Sequence, residues 1–288
     1  MVEVLVHFVA PALVGVLIGI ASGLLGIGGG TVMVPIFRLA FGMSATVSTA
    51  TSLFAIIPTS ISGAISHVKG KTCIPALGIA AGLGGACLSP VGVWLAQLSP
   101  DWLVMLAAAL IIGYSAINMF KKAFKIPRAG QPAEGADAAA ATPSLTSSGE
   151  PAAAAPTADD SSLSRKQLLQ GAAIGLVAGL ASGYVGVGGG FIMVPLMLSI
   201  IGIPMRKASG TSLIAVMILA IPGVIEQGII GNINYLAGIA IVIGTIPGAV
   251  IGARLVTKVP ERTLRLLFGC FLIVAAVMLV LNEVGIFG

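Results

Sequence analysis

Two long apolar stretches, separated by one polar interval, organise this chain. Within each stretch the apolar residues fall into five blocks, divided by Gly, Pro, hydroxyl and charged residues. In the first stretch the blocks run near Val4–Leu25, Thr31–Gly42, Ala45–Ser66, Cys73–Gln97 and Asp101–Phe120. In the second they run near Gln167–Val185, Phe191–Gly202, Arg206–Gln227, Tyr235–Thr257 and Glu261–Leu281. A helix of about twenty apolar residues spans a bilayer, and four blocks in each stretch approach that length. The second block is shorter, about twelve residues or ~18 Å of helical rise, so it re-enters the membrane or completes a hairpin. The interval from Lys121 to Lys166 is rich in Ala, Pro, Ser and Thr and has no hydrophobic period. It is expected to be a disordered linker. The chain thus divides into a first transmembrane repeat (1–120), the linker (121–166) and a second transmembrane repeat (167–288).

Composition agrees with an all-α polytopic membrane protein. Of the 288 residues, 57% are hydrophobic and only 9% are charged, against about 25% charged in soluble domains. The mean hydropathy is +1.08. The net charge of +5 comes without a basic block interleaved with aromatics, so no nucleic-acid partner is expected. The start, Met1-Val-Glu-Val-Leu, has no basic leader and reads as a retained first helix. Cys73, Cys87 and Cys270 lie in or beside apolar runs, without metal-ligand spacing, and are expected to be small buried hydrophobes. No cofactor and no metal are called for.

The two stretches repeat each other at a constant offset of 160 residues. Gly15 meets Gly175, Gly19 meets Gly179, and Ala21-Ser-Gly23 meets Ala181-Ser-Gly183. Thr51-Ser-Leu53 meets Thr211-Ser-Leu213, and Pro100 meets Pro260. Duplication is the natural source of such a register. Basic residues then set the topology. Lys69, Lys71, Lys121, Lys122, Lys125 and Arg128 in the first half, and Arg165, Lys166, Arg206, Lys207, Arg254, Lys258 and Arg262 in the second, all become cytoplasmic if the second half is inverted relative to the first. Both termini then lie outside and the linker lies in the cytoplasm. Inverted repeats with interrupted helices are a transporter arrangement, with substrate near the midplane.

The interruptions are Gly26-Ile-Gly-Gly-Gly30 and Gly186-Val-Gly-Gly-Gly190. A short helix begins after each, and a helix N-terminus offers free N–H groups and the positive end of a dipole to an oxyanion. Gly28, Gly29, Gly30 and Thr31, with Gly188, Gly189 and Gly190, are therefore candidate substrate-binding positions. Tight helix packing is the alternative reading of the same glycines. A nucleotide loop is not supported, since no strand precedes the motif and no Lys-Ser/Thr follows it. A second constellation opens the third blocks: Ser48, Thr49, Thr51 and Ser52, matched by Ser209, Thr211 and Ser212. Hydroxyls can donate to an anion, or bond back to helix carbonyls. Ser22 and Ser182 are weaker candidates of the same kind. Arg38, His67 and Glu226 are the charged or titratable residues placed to attract an anion or couple protons, with snorkelling or loop-edge roles as the alternative. Pro58, Pro222 and Pro247 read as kinks. Gly244, Gly248 and Gly252 form a close-packing stripe. No catalytic triad or carboxylate pair appears, so an enzyme is not supported.

The runs from Gly23 to Pro35 and from Gly183 to Pro195, with Thr49-Ala-Thr-Ser52 and Ser209-Gly-Thr-Ser212, resemble the TauE/SafE family of sulfite and organosulfonate exporters. The resemblance covers both apolar halves and excludes the linker. It implies a cytoplasmic-membrane permease for sulfite, sulfonates or related sulfur anions. The expected function is a secondary transporter, an exporter by the resemblance, working by alternating access between the repeats. A passive anion channel, or a non-transporting assembly or receptor protein, are the other readings. The expected partners are a small anionic substrate, the lipid bilayer and a coupling proton or sodium ion; a homodimer is admitted but not required.

Overall fold

The computed structural model describes residues 10–124 and 164–283, and within them every regular element is helical. In chain order these are α1 (Ala10–Leu25), α2 (Gly30–Phe41), α3 (Ala45–Lys69), α4 (Pro75–Leu98), α5 (Asp101–Phe124), α6 (Arg165–Val185), α7 (Gly190–Leu196), α8 (Met205–Ile230), α9 (Tyr235–Leu255) and α10 (Glu261–Glu283). Every expected block corresponds to a helix. Most of the expected linker, and the chain termini whose side of the membrane was inferred, lie outside the described residues. Where the linker was drawn to begin and end, α5 continues to Phe124 and α6 already starts at Arg165. Lys121, Lys122 and Lys166 are thus helical, because basic residues at an apolar helix end reach the interface without breaking the helix.

Local chemistry sets several of these boundaries. Ser44 caps α3 by accepting from the Val47 N–H, and Asn234 caps α9 by accepting from the Ala237 N–H. Gln167 reaches back to accept from the Ser164 N–H at the start of α6. The short helices differ between the halves. α2 is a regular helix of 12 residues, whereas α7 passes into a π-turn over Met197–Ile201. In the π-turn, Ser199 Oγ donates to the Pro195 carbonyl at 2.6 Å, and Lys122 Nζ donates to the same oxygen at 3.2 Å. That carbonyl is the acceptor an α-turn would reserve for the Ser199 N–H. The equivalent of Ser199 is Leu39, which cannot compete in this way.

Seven helices, α3 to α6 and α8 to α10, are long and apolar enough to cross a membrane. Large apolar side chains such as Leu17, Leu83, Leu110 and Val177 point outward, as they do where lipid replaces water as solvent. Cys73 is buried as expected, but Cys87 and Cys270 are exposed. They lie on outward helix faces, where a small apolar thiol meets lipid at no cost.

The halves are interleaved. The first helix of each half packs on the fourth helix of the other, α1 against α9 and α6 against α4. Glycine permits the approach. A Cβ built on Gly15, Gly19 or Gly23 would lie 2.5, 2.4 or 2.1 Å from the carbonyl oxygens of Ile241, Thr245 and Ala249. On Gly175, Gly179 or Gly183 it would meet those of Ala81, Gly85 and Ser89 at 1.9, 2.1 and 2.1 Å. In both pairs residue numbers rise together, so the helices are parallel. The equivalent helices α3 and α8 instead cross antiparallel at the centre: Gly63 faces Leu213, and Gly223 faces Leu53. This relation is compatible with inverted repeats. It also brings Lys69, Lys71, Arg206, Lys207, Arg254 and Lys258 to one end of the bundle, because α3 and α9 are parallel and α8 opposes them. Asp101 lies at the other end, where Thr46 at the start of α3 donates to its carboxylate.

The glycine crossings make a direct prediction. Gly175→Ala and Gly244→Ala each place a methyl group under 2 Å from a backbone oxygen, and each is expected to cost about 1–3 kcal/mol. Gly113→Ala meets nothing within 4 Å and is expected to be neutral or stabilising by up to about 1 kcal/mol. Thermal unfolding of the three purified variants in detergent checks the order.

Candidate functional site

α1 stops at Leu25 and α6 at Val185 because a glycine loop follows each. Gly28 and Gly29 have φ of 80° and 87°, and Gly188 and Gly189 have 87° and 68°. A side chain would strain every one of these positions. The loops turn the chain into α2 and α7, so the N-termini of both short helices are buried in the interior.

The structure brings the two loops together. A Cβ on Gly30 would lie 2.6 Å from the Val187 carbonyl oxygen, and one on Gly190 would lie 2.5 Å from that of Gly26. Beside them stand Ile56 of α3 and Val216 of α8, which occupy equivalent positions. Both side chains approach both Gly28 and Gly188. The glycine motifs therefore form one buried centre, with each half contributing the same backbone and a β-branched plug residue at the equivalent position.

Most candidate hydroxyls of the third helices surround this centre already hydrogen-bonded within the protein. Ser52 Oγ lies 2.5 Å from the Gly186 carbonyl oxygen and 2.9 Å from that of Thr49. Ser212 Oγ lies 2.7 Å from the Gly26 carbonyl oxygen and 2.9 Å from that of Ser209. Thr51 Oγ1 accepts from the Asn234 N–H at 3.0 Å, and Thr211 Oγ1 accepts from the Ile74 N–H at 2.9 Å. Four of these bonds, Ser52 to Gly186, Ser212 to Gly26, Asn234 to Thr51 and Ile74 to Thr211, join one half to the other, and each has its counterpart 160 residues away. Thr49 and Ser209 donate back to their own helices, to Thr46 and Met205.

Other hydroxyls near the centre are unengaged. Ser22, Thr31, Ser60 and Ser182 are fully buried, and their oxygens have no hydrogen-bond partner in the protein. The Ser22 and Ser182 side chains stand next to Gly29 and Gly189, and Ser60 Oγ lies beside Gly28. Thr31 is in the first turn of α2. Ser22, Thr31 and Ser182 were visible in the sequence. Ser60 was missed, although it shares a helix face with Ser52 and Ile56 at a spacing of four residues. Ser48 and Ser89 are likewise buried without partners.

The titratable candidates separate. His67 is buried against the first motif: its Nε2 lies 2.8 Å from the Gly23 carbonyl oxygen and its Nδ1 lies 2.7 Å from Thr72 Oγ1. The counterpart of this pair is Gln227 with Asn232, joined at 2.8 Å. Arg38 is half-buried in the last turn of α2, about 12 Å along the axis from the loop. Glu226 is partly exposed near the end of α8, about 15 Å along that helix from Val216. Neither stands at the glycine centre. Two cavities, of about 750 and 790 Å³, open on the flanks of the bundle, and no motif glycine lines either.

A bundle of apolar helices around a buried, backbone-lined polar centre is the architecture of a multi-pass membrane protein, and similar proteins place it among membrane transporters. The family model for sulfite exporter TauE/SafE matches residues 11–279. The probable membrane transporter protein YunE of Bacillus subtilis is 27% identical over 289 residues, covering 97% of this chain and 99% of that protein. A second, YdhB of the same organism, is 26% identical over 88% of this chain and 92% of its own length. A probable membrane transporter protein of Haemophilus influenzae is 28% identical over 94% and 97%. No solved structure matches the chain. The chain belongs to the TauE/SafE family.

The two sets of hydroxyls should respond differently to mutation. Ser52→Ala and Ser212→Ala each strip a buried carbonyl of its partner from the other half and are expected to cost about 1–3 kcal/mol. Ser22→Ala removes a buried hydroxyl that has no partner and is expected to leave stability unchanged or raised. Melting temperatures measured in parallel decide between these roles.

Proposed function

We propose that this transporter carries a small sulfur oxyanion or sulfonate, such as sulfite, outward across the cytoplasmic membrane, holding it at the joined glycine loops. The observation that carries this reading is the set of unengaged, fully buried hydroxyls at the joined glycine loops, Ser22, Thr31 and Ser60 at the start of α2 and Ser182 at the start of α7. A hydroxyl without a partner in apolar surroundings costs free energy. An oxyanion accepting from it relieves that cost, and the positive end of the α2 dipole favours the anion's charge. No buried cation is then required. The sulfur chemistry and the outward direction follow the family's description as a sulfite exporter.

The loops are fully buried, so substrate reaches them only when helices move. Rocking of the interleaved halves about the α3–α8 crossing would expose the centre to each side in turn. The serine and threonine links between the halves are weak enough to exchange during such a motion. Thr49, Thr51, Ser52, Ser209, Thr211 and Ser212 then become available to the anion as those links open. The end of the bundle with the clustered cations is the cytoplasmic end under the positive-inside rule, which leaves both termini outside. His67 is the candidate for proton coupling that best fits this scheme, because its ring binds the carbonyl at the entrance to the first glycine loop.

The test is flux in proteoliposomes. Labelled sulfite, sulfate, thiosulfate and taurine are offered under imposed proton or sodium gradients. Accumulation of at least one sulfur anion against its gradient is expected. Ser22→Ala/Ser60→Ala is expected to lower its transport about tenfold or more, since a hydrogen bond to a charged group is worth about 1.5–3 kcal/mol. Equilibration without coupling to either ion would indicate a passive channel, and unchanged flux in the folded double variant would remove the site.

A further inference from the structure

The cavity of about 790 Å³ lies away from the glycine centre, between the outer faces of α3 and α9. We propose that it binds one anionic phospholipid of the surrounding membrane. Its walls are apolar and outward-facing: Ile61, Ile65 and Ile246 are all exposed on the bundle surface. Ser62 Oγ donates to the Ile246 carbonyl at 2.8 Å, which pins the two helices together along the floor. At one end stand Lys69 and Arg254, both exposed. Among the described residues neither is held in a salt bridge.

Length and charge together select the occupant. From Pro58, deep in α3, to Lys69 the trough runs about 16 Å. One leaflet of hydrocarbon is about 15 Å thick, so an acyl chain fits the apolar run while its phosphate reaches the two cations at the interface. A free hydrated anion would gain nothing from the apolar walls. A zwitterionic lipid would bring its own cation against Lys69 and Arg254. Clustered basic residues at a membrane surface attract anionic headgroups by just this mechanism.

The repeat supplies an internal comparison. The positions equivalent to Lys69 and Arg254 are Ile229 and Trp94, and Glu226 stands where the trough has Ser66. The fold is duplicated but the cations are not, so the architecture does not require them. They belong to one groove, at one end of the bundle.

Native mass spectrometry of the delipidated full chain tests the assignment, using phosphatidylglycerol and phosphatidylcholine with matched acyl chains. Retention of one phosphatidylglycerol is expected, in preference to phosphatidylcholine. Lys69→Ala/Arg254→Ala should weaken that retention about thirtyfold. Ile65→Trp keeps both charges but fills the trough, and it should also lose the lipid. Arg165→Ala/Lys166→Ala removes two cations outside the groove and should retain it. Equal retention of both lipids by the unmodified protein would overturn the proposal, as would unchanged retention in Lys69→Ala/Arg254→Ala. So would displacement of the lipid by millimolar inorganic phosphate with Ile65→Trp unaffected, which would mark a site for free anions.

Discussion

The structure depends on what happens to two backbone carbonyls. α1 and α6 break inside the bundle, and the Gly26 and Gly186 carbonyls have no helical N–H to accept from. In lipid surroundings such groups must find a partner within the protein. Each finds a serine of the other half, Ser212 for Gly26 and Ser52 for Gly186. The exchange is reciprocal, so neither half can satisfy its own broken helix. That requirement explains the interleaving. The broken end of each first helix must meet the third helix of the other half while its length runs along the fourth, and only glycine at the crossings lets those backbones approach closely enough.

Much of this was readable in the chain, for identifiable reasons. Helical blocks follow from apolar length. The repeat follows from an ungapped register, and the clustering of cations at one end follows from charge placement. The stripe Gly244, Gly248 and Gly252 was recognisable as a packing face, but its partner was not. Gly15, Gly19 and Gly23 lie more than two hundred residues away, and nothing local distinguishes them from a partner within the same half. The bonds that the hydroxyls make were not legible for a related reason. Ser52 and Ser212 look like ligands because they are polar and repeated, yet a cross-half structural bond produces the same repetition. Ser60 could have been found by helical spacing from Ser52. Its lack of a partner could not, since that depends on which helices surround it.

The departures from symmetry carry as much information as the symmetry. Ser22 and Ser182 are equivalent, but Thr31 and Ser60 face Phe191 and Ala220 across the relation. The first glycine loop is therefore richer in free donors. α2 is also the longer, regular helix, while Ser199 and Lys122 convert the end of α7 into a π-turn. In the reading proposed for the site, the anion rests nearer the first loop, and the second supplies backbone and closure. His67 with Thr72, against Gln227 with Asn232, follows the same pattern. One half keeps a titratable ring where the other keeps a neutral amide.

Equilibrium binding of radiolabelled sulfite to purified protein tests the central claim most directly, comparing the natural sequence with Ser22→Ala/Ser60→Ala. The account predicts saturable binding by the natural sequence. It predicts affinity lowered about tenfold or more in the double variant, with no loss of thermal stability. Equal affinity in the two proteins would contradict it, because the anion would then be held somewhere other than the joined glycine loops.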